Sequence, residues 1–223
     1  TTYTDTGEIE VDGFKIKNSD HKAHGLITLT QALDESYNTG AIFAKEQIGN
    51  QDFLSYVKKF GFGQATGIEL PETKGSLDGL KYNIAVNFDT AAFGQGITVT
   101  PIQMLQAYMA LANKGHMMKP FLVQSKVLPD GTAQTTQPKQ VAQVISEKAA
   151  ADLSGMLVDV VENGYGKKAA VPGYYVAGKT GTAQVAGPNG KYLENDNIGS
   201  FIGFAPVDNP KFVMLLRVDH PRD

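Results

Sequence analysis

Val176-Ala177-Gly178-Lys179-Thr180-Gly181-Thr182-Ala183-Gln184 decides the reading of this chain. A short apolar entry followed by a cation, hydroxyl side chains and a glycine describes a strand that can receive a substrate's backbone and carboxylate together. Lys179 supplies a compact positive charge with rotatable donors. Thr180 and Thr182 supply hydroxyls, and Gly181 marks a place where another backbone can approach closely. Side chains alternate along a strand, so Lys179 and Gly181 face one way and Thr180 and Thr182 the other. All four serve one site only if the strand lies at a sheet edge with the substrate laid along it. The plainer reading is a lysine and a turn glycine at a strand end.

A second signal lies 143 residues upstream, in Ser36-Tyr37-Asn38. It sits between a helical run, Leu29 to Glu35, and another, Thr39 to Ile48. A serine and an asparagine in such a break point the same way and leave both side chains free. Either could instead cap the second helix, a common use of both residue types.

Together these segments resemble the transpeptidase domain of penicillin-binding proteins, and most of all the class B group serving cell division and elongation. The likeness includes Ser36-Tyr37-Asn38-Thr39-Gly40, and Phe60-Gly61-Phe62-Gly63 followed by Thr66-Gly67-Ile68-Glu69-Leu70-Pro71. It continues through Gly94-Gln95-Gly96 to Thr100-Pro101-Ile102-Gln103, then Gly178 to Gln184, and ends with Gly203-Phe204-Ala205-Pro206. K-T-G belongs to the motif set of class A β-lactamases and penicillin-binding proteins, beside S-x-x-K. The resemblance implies an α+β, β-lactamase/transpeptidase-like fold, with a helical lobe plus an antiparallel sheet. It implies a D,D-transpeptidase that cross-links D-Ala-D-Ala stem peptides by serine acyl transfer and is a covalent target of β-lactam antibiotics. In that scheme Ser36 relays the proton toward the leaving group and Asn38 holds the substrate's amide oxygen. Lys179 supports Ser36 and attracts the terminal carboxylate. Thr180 and Thr182 donate to that carboxylate beside Gly181, and the Thr182 N–H is half of the oxyanion hole. No metal or cofactor is implied. A membrane anchor upstream of the chain and an extracytoplasmic, periplasmic location are.

The family's nucleophile is the serine of an S-x-x-K tetrad upstream of S-x-N. Two tetrads fit the pattern here. Ser19-Asp20-His21-Lys22 lies in a polar stretch with no apolar helix to hold it. Ser55-Tyr56-Val57-Lys58 follows S-x-N, on a helix whose buried face is Phe53, Leu54, Val57 and Phe60, leaving Ser55 and Lys58 at the surface. Neither suits a nucleophile. The expectation is a transpeptidase domain incomplete at both ends, inactive by itself, with a dimer or a complementing fragment covering the gap.

Composition bounds less. The chain has 223 residues, 42% hydrophobic and 19% charged, enough for a sizeable core. A net charge of −3 gives no footprint for nucleic acid. There is no cysteine, hence neither a disulfide nor a thiolate metal site. No apolar run is long enough to span a bilayer. His21 and His24 fall in a polar segment and read as solvated.

Along the chain, the part up to about Lys17 reads as turns and a short strand. Leu26 to about Phe60 reads as three short helices, Asn50 capping the third and Gly61 at its C′ position. Residues 61–96 read as irregular. Thr100-Pro101-Ile102-Gln103 is a strong helix start, with Ile102, Leu105, Met109 and Ala112 as one face. Phe121-Leu122-Val123 suggests a strand, with Pro129-Asp130-Gly131 as a turn. Ser146 caps a long helix burying Leu153, Met156, Leu157, Val160 and Val161. Three antiparallel strands then follow: about Tyr174–Gln184, Ile198–Ala205 and Phe212–Asp219, the first pair joined at Gly187-Pro188-Asn189-Gly190. The helical lobe spans about 26–164 and the sheet lobe about 165–223.

Two other classes of function share the K-T-G logic: a β-lactamase or β-lactam sensor, and a non-catalytic binding or scaffold domain. A hydrolase needs a water-activating base, and no segment announces one.

Overall fold

The computed structural model describes residues 1–187 and 192–221. Four short strands open the chain. β1 (Thr2–Asp5) pairs antiparallel with β4 (Gly25–Thr28), and β2 (Glu8–Val11) forms a hairpin with β3 (Phe14–Lys17). Asp12 (φ 49°) and Gly13 (φ 78°) turn this hairpin with the two left-handed residues that a tight type I′ connection demands. The expectation of one short strand is too sparse. Apolar and charged residues alternate along both strands, but Ile16 is buried while Phe14 is exposed, so the pattern does not translate into a buried face along the whole hairpin.

α1 (Leu29–Asp34) starts with a capping box from Thr28 and Gln31. α2 (Asn38–Lys59) breaks at Gly49 (φ 76°, ψ 167°), so the three expected helices are α1 and the two halves of α2. The break falls at Gly49 rather than at an Asn50 cap. The Asn50 side chain accepts from Lys45 Nζ at 3.3 Å and donates to Asn83 at 2.8 Å. Gly61 (φ 84°) closes α2 as expected, its N–H on Lys58 O at 2.9 Å and the Phe62 N–H on Val57 O at 3.3 Å. A Cβ on Gly40 would lie 2.5 Å from that of Ala32, so glycine is what lets α2 rest on α1.

Within the stretch expected to be irregular stands α3 (Ala85–Ala92). Its buried Phe88 and Ala91 pack against Phe53 and Leu54 of α2. Lys45 and Asp89 form a buried ion pair between the two helices.

α4 (Pro101–Ala112) has the predicted capping box and N-terminal proline. Its deepest face is Gln103, Gln106, Ala107, Ala110 and Leu111, whereas Ile102, Leu105, Met109 and Ala112 are only half-buried. The helix is rotated because loop carbonyls need donors. Gln103 Nε2 donates to Gln64 O at 2.7 Å and Lys74 O at 2.9 Å, and Gln106 Nε2 to Met118 O at 2.9 Å.

β5 (His116–Met118) pairs with β8 (Gln140–Gln143), and β6 (Ser125–Val127) with β7 (Ala133–Thr135) across the expected turn at 129–131. Phe121 and Leu122 are exposed and lie outside any strand. α5 (Glu147–Glu162), capped by Ser146, buries Leu157, Val160 and Val161 together with Ala150 and Ser154; Leu153 and Met156 are half-buried.

The principal sheet has the order β11-β10-β9 and is antiparallel throughout, with β9 (Ala177–Ala186), β10 (Tyr192–Ala205) and β11 (Phe212–Asp219). β9 starts later than expected, because Tyr174 bridges back to Val171, and β10 starts earlier. The expected turn at 187–190 lies outside the described residues beyond Gly187. Leu111 of α4, Leu157 of α5 and Ala177 and Phe204 of the sheet meet in one core cluster, fixing β9 against the helices. The expected α+β architecture is what the chain adopts.

Candidate active site

Ser36 follows α1 at the position where helices commonly place glycine. Its N–H bonds Leu33 O at 3.2 Å and the Tyr37 N–H bonds Ala32 O at 2.8 Å, the Schellman pattern with Ser36 at C′. Its φ of 55° is left-handed, a region disfavoured by about 1 kcal/mol for a side chain with a Cβ. Tyr37, not Ser36 or Asn38, stands at the N-cap of α2, and no side chain caps there. The capping alternative therefore fails. Both side chains are spent elsewhere.

Asn38 Nδ2 donates to Lys17 O at 2.7 Å, which fixes its amide against the end of β3. The next residue enters a buried network that sequence reading misses. Thr39 Oγ1 donates to Asp5 Oδ1 at 2.7 Å, and the Thr39 N–H donates to Asn18 Oδ1 at 3.2 Å. Asp5 also accepts from Asn18 Nδ2 at 3.0 Å and from the N–H groups of Gly7 and His24, each at 3.0 Å. Burial pushes the Asp5 carboxyl up, but these donors outweigh it and hold it below the usual carboxylate range. Asp5 and Asn18 are dispersed in polar stretches, so only the fold assembles them beneath S-x-N. His24 is likewise not simply solvated. Its ring stacks on Tyr37 with centroids 4.2 Å apart, and Nε2 lies 2.8 Å from Asp20 Oδ2.

β9 brings Lys179 to the same place. Lys179 Nζ donates to Ser36 Oγ across 143 residues of sequence. It also lies 3.2 Å from Thr180 O and 3.3 Å from Thr180 Oγ1, which joins residues of opposite facing at one point. Burial lowers the Lys179 pKa, with Asp34 pulling it back up. The Asp34 carboxyl is pushed up to about 7, by burial first and then by Asp159. Thr182 lies exposed farther along the strand. Among the described residues β9 pairs only with β10, so its outer edge is open, as a strand-like substrate requires. Gly181 has a nearer reason to be glycine than an incoming chain. A Cβ there would lie 2.6 Å from Ser200 Oγ on β10. Tyr192 Oη accepts the Gly96 N–H at 3.2 Å, which ties the Gly94-Gln95-Gly96 loop to the start of β10.

The site is thus an open strand edge set against the Ser36-Tyr37-Asn38 turn. A separate cavity of about 490 Å³, lined by α4, α5, Tyr175 and Phe204, includes none of these residues.

The family model for the penicillin binding protein transpeptidase domain matches residues 1–223. The chain belongs to this family. Stage V sporulation protein D of Bacillus subtilis is 41% identical over 223 residues, which is 99% of this chain and 34% of that protein. Peptidoglycan D,D-transpeptidase FtsI of Buchnera aphidicola is 30% identical over 89% of this chain and 34% of its own length. Penicillin binding protein 3 of Mycobacterium tuberculosis, crystallised with aztreonam, superposes with a TM-score of 0.92 at 31% identity, covering 99% of this chain and 51% of that one. The chain therefore spans about a third of the length of these curated relatives. Neither S-x-x-K tetrad of this transpeptidase-family chain looks equipped for attack. Ser19 is exposed in a turn, and Ser55 and Lys58 are exposed on α2.

Proposed function

We propose that this chain is part of a class B peptidoglycan D,D-transpeptidase and supplies the proton-relay and substrate-strand half of its active site. The observation that carries the reading is the Lys179–Ser36 hydrogen bond at an open strand edge. Acyl transfer needs a nucleophile, a base, a proton path to the leaving amine and donors for the oxyanion. Ser36 passes the proton to the leaving D-Ala amine. Lys179, already desolvated, orients Ser36 and draws in the substrate's terminal carboxylate, which Thr180 and Thr182 hold by their hydroxyls. Asn38, pinned by Lys17, presents its amide to the acyl peptide. The stem peptide lies as an added strand beside β9, in the seam between a helical lobe (about 26–164) and a sheet lobe (about 165–223).

The nucleophilic serine and its lysine belong to a part of the full-length protein outside this chain. So does a membrane anchor that holds the domain on the extracytoplasmic side; among the described residues no helix is long and apolar enough to cross a membrane. β-Lactams enter the same site as mimics of the acyl peptide.

Intact-mass spectrometry after incubation with penicillin tests this. The full-length protein should gain one penicillin, and Lys179→Ala should slow that gain at least 100-fold, as removing one of a cooperating set does. The 223-residue chain alone should gain nothing. A stoichiometric adduct on Ser19 or Ser55 would refute the assignment.

A further inference from the structure

Asp34 ends α1, two residues before Ser36, and is only 7% exposed. Its Oδ1 is buried with no hydrogen-bond partner among the described residues. The end of α5 seals this corner. The Tyr165 N–H donates to Asp34 O at 3.0 Å, and a Cβ on Gly164 would lie 2.5 Å from that same oxygen. One turn earlier on α5 stands Asp159, the second carboxyl of this corner, which accepts from Asn163 Nδ2. Two carboxyl groups can share a hydrogen bond only if one of them carries a proton, and like charges in a buried corner exclude the doubly ionised form.

We propose that Asp34 and Asp159 form a carboxyl pair sharing one proton between α1 and α5, and that this pair sets the charge beneath the Lys179–Ser36 contact. Neither touches substrate; both are positioning residues acting through Lys179. The charged groups facing Asp34 are Asp159 from α5, Glu35 from α1 and Lys179 from β9. The first two raise its pKa and the third lowers it, leaving the carboxyl near 7 after burial has pushed it up.

The sign follows. Below about pH 7 the pair keeps its proton and Lys179 faces one negative charge. Above that, Asp34 ionises, the ammonium beneath the site is more fully neutralised from behind, and its pull on an incoming carboxylate weakens. The inference rests on the proposed transpeptidase role, since it assigns that carboxylate to substrate or β-lactam.

The test uses the full-length protein and two readouts. Wild-type penicillin acylation, as a second-order rate, should fall as pH rises through about 7, by at least threefold. Asp34→Asn, which still donates to Asp159, should fold with unchanged Tm and lack this step. Asp159→Asn removes the like charge and should move the step downward by about one pH unit. Infrared difference spectra should show a protonated carboxylic acid titrating over the same range in wild type and absent in Asp34→Asn. Overlapping wild-type and Asp34→Asn profiles, with no titrating carboxylic acid, would overturn the pair. A protein that never acylates would defeat the transpeptidase reading, while the infrared titration would still decide the pair.

Discussion

Ser36 occupies a backbone conformation that suits glycine, with φ at 55°. Strain of this kind persists where the surroundings over-determine it, and it gathers at functional sites. Ser36→Gly should therefore be more stable than Ser36→Ala by about 1 kcal/mol, or about 3 °C in Tm, while penicillin acylation of the full-length protein collapses in both. Ser36→Ala keeps the Cβ and with it the strain, so it should lose the activity without that advantage in Tm. Calorimetry beside acylation rates separates the two variants. The motif residues were legible because K-T-G and S-x-N are local patterns, whereas the left-handed serine was not, since the C′ position was masked by the expectation of a cap. Asp5 illustrates the opposite limit: nothing local distinguishes it from other acidic residues of the first turns. Asp5→Ala would strip donors from Asn18 and Thr39 of their acceptor and should cost about 3 kcal/mol. Because the folded pKa lies below the unfolded one, this carboxylate's contribution is complete above the ordinary carboxylate range and is lost as pH falls through the folded value. Urea unfolding of wild type and Asp5→Asn should differ at neutral pH, and the gap should narrow below about pH 4.

At the level of elements, helix starts were readable and helix faces were not. Thr100-Pro101-Ile102-Gln103 fixes where α4 begins, because capping is a contact between neighbours. Which side of α4 goes inward depends on three distant carbonyls that need Gln103, and hydrophobic periodicity carries no information about them. α3 escaped for a related reason: eight residues give barely two turns of pattern, and its docking rests partly on the charge of Asp89. Asp89 Oδ1 meets Lys45 Nζ as an ion pair without hydrogen-bond alignment, both groups being buried. Breaking such a pair strands a charge, so Lys45→Met should destabilise by about 4 kcal/mol. Replacing both partners, Lys45→Met with Asp89→Leu, should recover most of that loss, since the pair's own desolvation is then removed as well. Chemical denaturation of the two single variants and the double variant measures the coupling. Equal losses in single and double variants would mean that α2 and α3 are held by Phe53, Leu54 and Phe88 alone.

Across the whole molecule, strand order was legible for the last three strands because short connections force antiparallel neighbours. The consequence for the surface was less visible. Along β11, Phe212, Met214, Leu216 and Val218 all point to one face and are 47–56% exposed. The opposite face of the sheet is the one that Leu111 and Leu157 cover. Four large apolar side chains in a row, beside a strand whose outer edge is unpaired among the described residues, form the kind of surface that favours association in water. The 223-residue chain prepared by itself should therefore dimerise or form larger species as concentration rises. Charges introduced on the stripe, as in Met214→Lys with Leu216→Glu, should restore a monomer without lowering stability by more than about 1 kcal/mol, because these positions are already half in water. Sedimentation velocity across a concentration series distinguishes the cases. A wild-type chain that stays monomeric throughout would show that the stripe is tolerated in water, and a charged variant that still associates would move the contact to the open edge of β9, where backbone pairing rather than apolar burial would hold the copies together.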